Sequence, residues 1–369
     1  LEVSEDHVTR APWKDVSKIP RKIAALLPQA AGKAEGGDSK TKSILRSSLF
    51  WPDERMGWFH PAVREGLRLL ERWHADLIYA SGLPATVLLV GRELAKRCGI
   101  PWAAEFRDLW ADSNYYPNQG WRQWVDRWWE TRVLRDAVGL VTVSEPLKKI
   151  LLERHGLDTM VVRNGFDPDD FPARKARALS SEFPLTITYT GSLYGGRRDP
   201  KLLFEAMRSL KSAARQFRLR FFVAPSCGSY LRSLSARYGI ESQLEICDLV
   251  SFERSIQIQC ESDILLLLLG SSAGSEGVFT SKVFEYLGAR RPVLVLGGSL
   301  SNVASKLIRD RRAGVHLNSA ADVEVQLRQW AEQKSNNQLG PLDPSVMAGL
   351  TRREQVRELV AFFEKCLRV

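Results

Sequence analysis

Residues 263–296 read DILLLLLGSSAGSEGVFTSKVFEYLGARRPVLVL. This stretch predicts, in order, a buried strand, a loop of small residues, a helix and a second strand. The apolar run 263–269 predicts a buried strand, residues 280–289 have helical spacing, and residues 292–296 form a second short apolar run. Two strands joined by a helix predict a right-handed crossover and hence a parallel sheet.

The same alternation extends over most of the chain. In the first half we predict strands at 76–80, 101–106 and 139–143 and helices at 86–98 and 123–136. In the second half we predict further strands at 185–189, 218–224 and 244–246 and helices at 199–211, 229–238 and 253–260, with a last helix at about 352–367. The predicted fold class is α/β, with two Rossmann-like, doubly wound parallel sheets whose ligand-binding edges face one another across a cleft.

The length of 369 residues also favours two domains. Turn-forming residues cluster at 164–172, and a charged segment follows at 173–182. We therefore expect a first domain over 1–182 and a second over 183–350. The C-terminal helix, 351–369, is expected to pack back on the first domain.

The net charge of the chain limits the classes of binding partner that we expect. The 53 Lys and Arg against 43 Asp and Glu give a net charge of +10, which favours nucleic acid, an anionic membrane or a phosphorylated ligand. No nucleic-acid-binding motif is present, so we expect no nucleic acid partner. The five cysteines and five histidines form no zinc-ligand pattern, which predicts no metal site and is typical of a reducing, cytoplasmic compartment.

The loop and helix start at 271–285 predict an anion site. Backbone N–H groups from Gly277 through Thr280 and Ser281 lie at the helix start, where the dipole favours negative charge, and Lys282 adds a full positive charge. Glu285 shares a helix face with Lys282, and its carboxylate can accept hydrogen bonds from a ribose diol. The equally weighted alternative is a solvated surface helix with a Lys282–Glu285 ion pair.

Three segments together resemble retaining nucleotide-sugar glycosyltransferases of family 4. They are EGVFTSKVFEYLGARRPV, VTVSEPLKKILLERHG and VVRNGFDPDDF. The resemblance runs from about Trp51 to Leu296 and implies the GT-B fold. Within the family, the sequence is similar to the type found among bacterial surface-polysaccharide enzymes. No counterpart of the opening strand of that family precedes Trp51, so we expect a truncated or divergent start.

The resemblance also implies roles for individual residues. Glu285 matches the glutamate that holds the nucleotide ribose, and Glu276 approximates the one near the sugar hydroxyls. Gly191, in TGSLYGGRRDP, matches the diphosphate-binding glycine, and Arg197 and Arg198 are equal candidates for the diphosphate.

A further candidate site is EFRDLW, at the end of a predicted strand. Arg107 stands where many relatives have a histidine, and it can stabilise phosphate charge, while Asp108 can orient an acceptor hydroxyl or accept its proton. A purely structural Arg107–Asp108 pair is nearly as well supported.

Tryptophans dominate one predicted helix. Trp121, Trp124 and Trp128 fall on one stripe, with arginines interleaved. Packing in the core is the favoured interpretation. The alternative is a surface for an anionic membrane or a lipid-linked acceptor.

The sequence thus predicts a glycosyltransferase that moves a sugar from a UDP- or GDP-linked donor to a hydroxyl of a glycan or lipid-linked acceptor, with retention of configuration. Fixed basic groups replace a metal, and no separate cofactor is expected. We expect a cytoplasmic protein, peripheral on the inner membrane face, that serves surface polysaccharide or glycolipid synthesis. The alternatives are a noncatalytic anion- or membrane-binding protein and a nucleotide-sugar epimerase.

Overall fold

A computed structural model describes residues 7–12, 51–112, 120–171, 184–194, 197–270, 275–277 and 279–368. The chain forms two compact units, Leu1–Val162 together with Glu358–Val369, and Arg163–Arg357. The expected domain boundary at residues 182–183 lies outside the described residues.

The first unit is built on a four-stranded parallel sheet of order β1-β2-β3-β4. Its strands are β1 (Ile78–Ser81), β2 (Trp102–Phe106), β3 (Gly139–Thr142) and β4 (Thr159–Val161). Its helices are α1 (Phe59–Leu70), α2 (Thr86–Cys98), α3 (Trp121–Leu134) and α4 (Glu145–His155). Every residue of β2 and β3 is buried, which explains their apolar composition.

The second unit is built on a six-stranded parallel sheet of order β10-β9-β8-β5-β6-β7. Its strands are β5 (Leu185–Thr190), β6 (Phe217–Phe222), β7 (Leu244–Cys247), β8 (Ile264–Leu268), β9 (Val293–Leu296) and β10 (Gly314–Leu317). Its helices are α5 (Lys201–Ser209), α6 (Pro225–Tyr238), α7 (Phe252–Glu261), α8 (Lys282–Ala289), α9 (Val303–Asp310) and α10 (Ala320–Ser335).

Strand β8 shows why the apolar run of residues 263–269 is a strand. Ile264, Leu266 and Leu268 belong to one buried cluster of the second unit. Leu265 and Leu267 belong to another. Because alternate side chains point to opposite faces and both faces are covered, every position of the strand is apolar.

The two predicted parallel sheets and the elements predicted for them are confirmed, with ends shifted by a few residues. The second sheet is doubly wound, whereas the described strands of the first sheet lie in chain order. The last helix, α11 (Arg352–Leu367), packs on the first unit through Phe363, whose ring centroid lies 5.0 Å from that of Tyr79. Lys365 adds an ion pair of 2.6 Å with Asp158. Val356 and Val360 of this helix are exposed, whereas Phe362 is buried.

The expectation that the tryptophan stripe of α3 packs in the core is wrong. Trp121, Trp124 and Trp128 are 70%, 69% and 52% exposed. The helix instead buries three charged side chains, those of Arg122, Asp126 and Glu130.

Candidate functional site

The second sheet changes direction between β5 and β8. From β5 the chain proceeds outward through β6 to β7, and from β8 it proceeds the other way through β9 to β10. In open parallel sheets, ligands bind beyond the carboxyl ends of the strands at such a switch point. Gly191 follows β5 there, and the loop after β8 leads to Lys282 at the start of α8.

Lys282 lies in a cage at this switch point. Its Nζ is 4.5 Å from the centroid of the Tyr189 ring and 3.5 Å from the Tyr189 hydroxyl oxygen. That hydroxyl donates to the carbonyl oxygen of Ser192 at 2.7 Å, so its lone pair faces the ammonium group. On the other side, a Cβ at Gly191 would overlap Nζ. The absence of a side chain at Gly191 therefore makes room for the lysine.

Little negative charge in the cage balances the charge of the Lys282 ammonium group. Burial, and then the nearby Arg198 guanidinium, lower the pKa of Lys282 to about 7, although Glu285 acts in the opposite direction. A cation held among other cations in a partly dehydrated place favours an anionic ligand, because the ligand removes the electrostatic penalty.

Glu285 is held by Gln259 rather than by Lys282. The Gln259 Nε2 group donates to the Glu285 carboxylate at 2.9 Å, and Gln259 is fully buried. The described residues show no ion pair between Glu285 and Lys282, so the solvated ion-pair alternative does not fit. A carboxylate that accepts one hydrogen bond from a buried amide still has acceptor positions to offer to a ligand.

The two candidate arginines have different surroundings. The Arg198 Cζ lies 4.6 Å from the centroid of the Tyr194 ring. Arg198 also acts on the hydroxyl of Tyr189, whose pKa is raised to about 12 mainly by burial. Arg197 is exposed. Arg198, not Arg197, is therefore the arginine that shares the Lys282 cage.

The start of α8 offers backbone donors. The N–H groups of Thr280, Ser281 and Lys282 donate to no described residue, and Ser281 makes no side-chain cap. The N–H of Phe284 is already used by the carbonyl oxygen of Ser281, at 3.1 Å. Two or three amides beside an ammonium group form a suitable anion site.

Glu276 lies in the loop before α8. It is exposed, next to the buried Gly277, and its carboxylate accepts a hydrogen bond of 2.8 Å from the Ser301 hydroxyl. Within the described part of the chain it makes no hydrogen bond or ion pair with Lys282 or Glu285. The predicted contact of Glu276 with the sugar stays a prediction.

A second polar cluster lies at the carboxyl end of β2 in the first unit. Glu105 is buried and accepts a hydrogen bond from the Ser81 hydroxyl. Arg107 is exposed, with Nε 3.8 Å from the Glu105 carboxylate. Burial raises the pKa of Asp108, and Arg107 partly offsets the shift. This cluster therefore places a cation and a carboxylate with enhanced basicity at one sheet edge.

Sequence reasoning missed Tyr189 and Gln259. Tyr189 carried a usable signal, because it is an aromatic residue with a polar tip one position before the end of a strand that precedes a glycine turn. Gln259 carried none, because a single glutamine in a helix has no distinctive pattern.

Fold and site together define a class: an α/β protein with two parallel sheets, of which the doubly wound second sheet has a caged lysine and a fixed carboxylate at its switch point. Residues 27–170 match the model of the family described as Glycosyltransferase Family 4, beginning earlier than the expected resemblance. Among curated proteins, none matches the chain significantly.

Solved structures extend the likeness to most of the chain. HepE of Anabaena in complex with UDP is 14% identical, with a TM-score of 0.61 over 89% of this chain and 90% of that chain. Sucrose-phosphate synthase from Thermosynechococcus elongatus is 15% identical, with a TM-score of 0.60 over 86% and 80%. The apo form of the lipopolysaccharide outer core galactosyltransferase WaaB is 14% identical, with a TM-score of 0.57 over 88% and 82%. The chain therefore has the GT-B fold of these glycosyltransferases.

Proposed function

We propose that the protein is a glycosyltransferase that uses a nucleotide diphosphate sugar as its donor. The observation that carries this proposal is the Lys282 cage at the switch point of the second sheet, with Glu285 fixed beside it. The similarity of residues 27–170 to Glycosyltransferase Family 4 supports the same class of reaction.

In the proposed complex the donor diphosphate lies against Lys282, Arg198 and the amides at the start of α8. Glu285 accepts hydrogen bonds from the ribose diol. Arg197 and Gly191 border the diphosphate, and Glu276 approaches the transferred sugar. UDP-linked donors are the first to test, since HepE has been solved with UDP and with UDP-glucose.

In the proposed reaction a hydroxyl oxygen of a glycan or lipid-linked acceptor bonds to the anomeric carbon as the bond from that carbon to the phosphate oxygen breaks. The nucleoside diphosphate leaves with the electron pair, and the acceptor proton passes to the departing phosphate. Fixed cations lower the barrier because negative charge develops on that phosphate. Configuration is retained, and the products belong to bacterial surface polysaccharide or glycolipid.

Arg107 and Asp108 serve the acceptor side of this proposal. Asp108 orients the acceptor hydroxyl by accepting a hydrogen bond from it, and burial, which raises the pKa of Asp108, strengthens that acceptor. The absence of a metal requirement and the cytoplasmic location stay predictions.

Donor binding can be tested by isothermal calorimetry with UDP- and GDP-sugars. Lys282→Ala and Glu285→Ala are each expected to weaken binding roughly tenfold or more, because each removes a charge-assisted hydrogen bond. Lys201→Ala and Glu205→Ala are matched controls, since Lys201 also begins a helix of the same unit but both side chains are exposed. Failure of every nucleotide sugar to bind, or equal loss in the control variants, would refute the donor site.

Transfer can be tested by mass spectrometry of glycan and lipid extracts incubated with the protein and each donor. A product heavier by one sugar, unaffected by EDTA, is expected. Donor binding without any product in the presence of acceptors would favour the noncatalytic alternative. An isomerised donor formed without acceptor would favour the epimerase.

Gln259 offers a test of how Glu285 is positioned. Gln259→Leu is expected to weaken UDP binding by about 3- to 10-fold, because Glu285 loses the hydrogen bond that orients it. Binding of inorganic pyrophosphate should be unchanged, since the diphosphate contacts do not involve Glu285. The exposed Gln257 on the same helix is the control position. Equal weakening of UDP and pyrophosphate would instead show general damage to the site.

A further inference from the structure

Helix α3 of the first unit exposes its aromatic face and buries its charged face, which is the reverse of an ordinary amphipathic helix. Its exposed stripe consists of Trp121, Trp124 and Trp128, which are spaced by three and four residues and therefore share one face. A tryptophan ring buries a large apolar area when it is covered, so three on one exposed face form an apolar patch that marks an interaction site.

The acidic residues of α3 face inward and are fully paired. Asp126 accepts a hydrogen bond of 2.9 Å from the Trp51 indole and lies 3.7 Å from the Arg122 guanidinium. Glu130 accepts from the backbone N–H of Ala111 at 3.0 Å and pairs with Arg154 at 3.2 Å. Since both carboxylates are buried, the exposed face of α3 carries no negative charge.

Cations flank the tryptophans. Arg132 stands over the Trp128 ring at 5.8 Å, and Arg135 follows at the end of the helix. Neither makes an ion pair with any residue that the structure describes. Arg127, between the tryptophans, pairs at 2.7 Å with Asp112, which also pairs with Arg154.

A cavity opens beside this helix. It has a volume of about 730 Å³ and is lined by Trp124, Trp128, Arg132 and Arg135, among others. His155, at the end of α4, also lines the cavity, and its buried Nδ1 has no hydrogen-bond partner among the described residues. Arginines that line a cavity fit a site that receives a polar, anionic group.

We propose that the exposed face of α3 docks on an anionic lipid bilayer, with the three tryptophans at the depth of the headgroups and with Arg127, Arg132 and Arg135 against the lipid phosphates. Tryptophan prefers the membrane interface because its ring is apolar and its N–H is polar. Arginines are attracted to an anionic leaflet, whereas Asp and Glu on the same face would be repelled by it. The described part of the chain has no helix long and apolar enough to cross a membrane.

This inference does not rest on the proposed sugar transfer. It concerns helix α3 of the first unit, whereas the donor site lies at the switch point of the second. The two proposals can therefore fail separately, and each has its own readout.

Co-sedimentation of the full chain with vesicles tests the proposal. Vesicles of phosphatidylglycerol and phosphatidylcholine are expected to bind the protein, vesicles of phosphatidylcholine alone to bind it poorly, and added salt to weaken binding. The double variant Trp124→Ala, Trp128→Ala is expected to lower the partition coefficient roughly tenfold or more, because two interfacial rings are lost. The double variant Arg132→Gln, Arg135→Gln should remove most of the preference for the anionic lipid.

Trp73→Ala is the matched control, because Trp73 is 62% exposed in the same unit but lies outside α3. The midpoint of thermal unfolding should be the same in all of these variants, which shows that they are folded. Equal binding to both vesicle types, no binding to either, or equal loss with Trp73→Ala would overturn the proposal. Displacement by soluble glycerophosphate would also overturn it, in favour of a small-anion site.

Discussion

Gly191→Ala is expected to weaken UDP binding by about 100-fold or more. A methyl group at this position would overlap the Nζ of Lys282, so the ammonium group must leave the cage formed with Tyr189. Each charge-assisted hydrogen bond lost in this way costs about 1.5–3 kcal/mol. Gly191 also has φ of +122°, which an alanine adopts only with strain, so the loop that carries Arg198 shifts as well.

A substitution at a second glycine separates the effect of backbone strain from the effect of displacing Lys282. Gly239 of the same unit has φ of +67°, and an added Cβ there has no neighbour within 4 Å. Gly239→Ala is expected to lower the free energy of unfolding by about 1–2 kcal/mol and to leave UDP binding intact. Calorimetric binding and thermal unfolding of both variants provide the comparison. If the two variants bind UDP equally well, Gly191 does not serve the cage.

The parallel sheets could be predicted because burial on both faces leaves a strong signal in the sequence. Strand β8 has no polar residue at all, and helix α8 begins 14 positions after its last residue. Elements with weaker signals were not predicted: α4, α9, α10 and the edge strands β4 and β10, whose residues are mostly half-buried. An edge strand of four residues needs little apolar character, so its pattern resembles a loop.

Helix α3 could not be oriented from its own sequence. Trp121, Trp124 and Trp128 lie on one stripe, but Arg122, Asp126 and Glu130 are spaced by four and form an equally regular stripe. The buried stripe is decided by partners distant in the chain, since the Trp51 indole and His155 satisfy the two carboxylates. Helical periodicity identifies the two faces, whereas the available hydrogen-bond partners decide which face is inside.

The sequence alone could not distinguish the two candidate arginines either. Arg197 and Arg198 are neighbours with the same chemistry, so composition and spacing cannot separate them. The backbone N–H of Arg198 donates to the carbonyl oxygen of Leu193 at 3.2 Å, and its guanidinium lies against Tyr194. These contacts of Arg198, rather than its residue type, distinguish it from Arg197.

Affinity for UDP-glucose is expected to fall about tenfold for each pH unit above pH 7. In the free protein the pKa of Lys282 is about 7, because burial and the Arg198 charge disfavour its protonated form. A bound diphosphate favours the protonated form and raises this pKa. Below pH 7 the lysine is charged in both states, so affinity is constant. Above pH 7 binding must take up a proton, so affinity falls until the pKa of the complex is reached.

Calorimetry in buffers with different ionisation enthalpies measures this proton uptake directly. About one proton per UDP-glucose bound is expected near pH 8, and almost none near pH 6. UDP-glucose is the suitable ligand because its diphosphate, esterified at both ends, does not titrate in this range. Lys282→Arg is the control, since a guanidinium stays protonated throughout and its affinity should vary little with pH. Proton uptake that persists in Lys282→Arg would assign the titration to another group. A flat pH profile in the unsubstituted protein would show that Lys282 takes up no proton when the diphosphate binds.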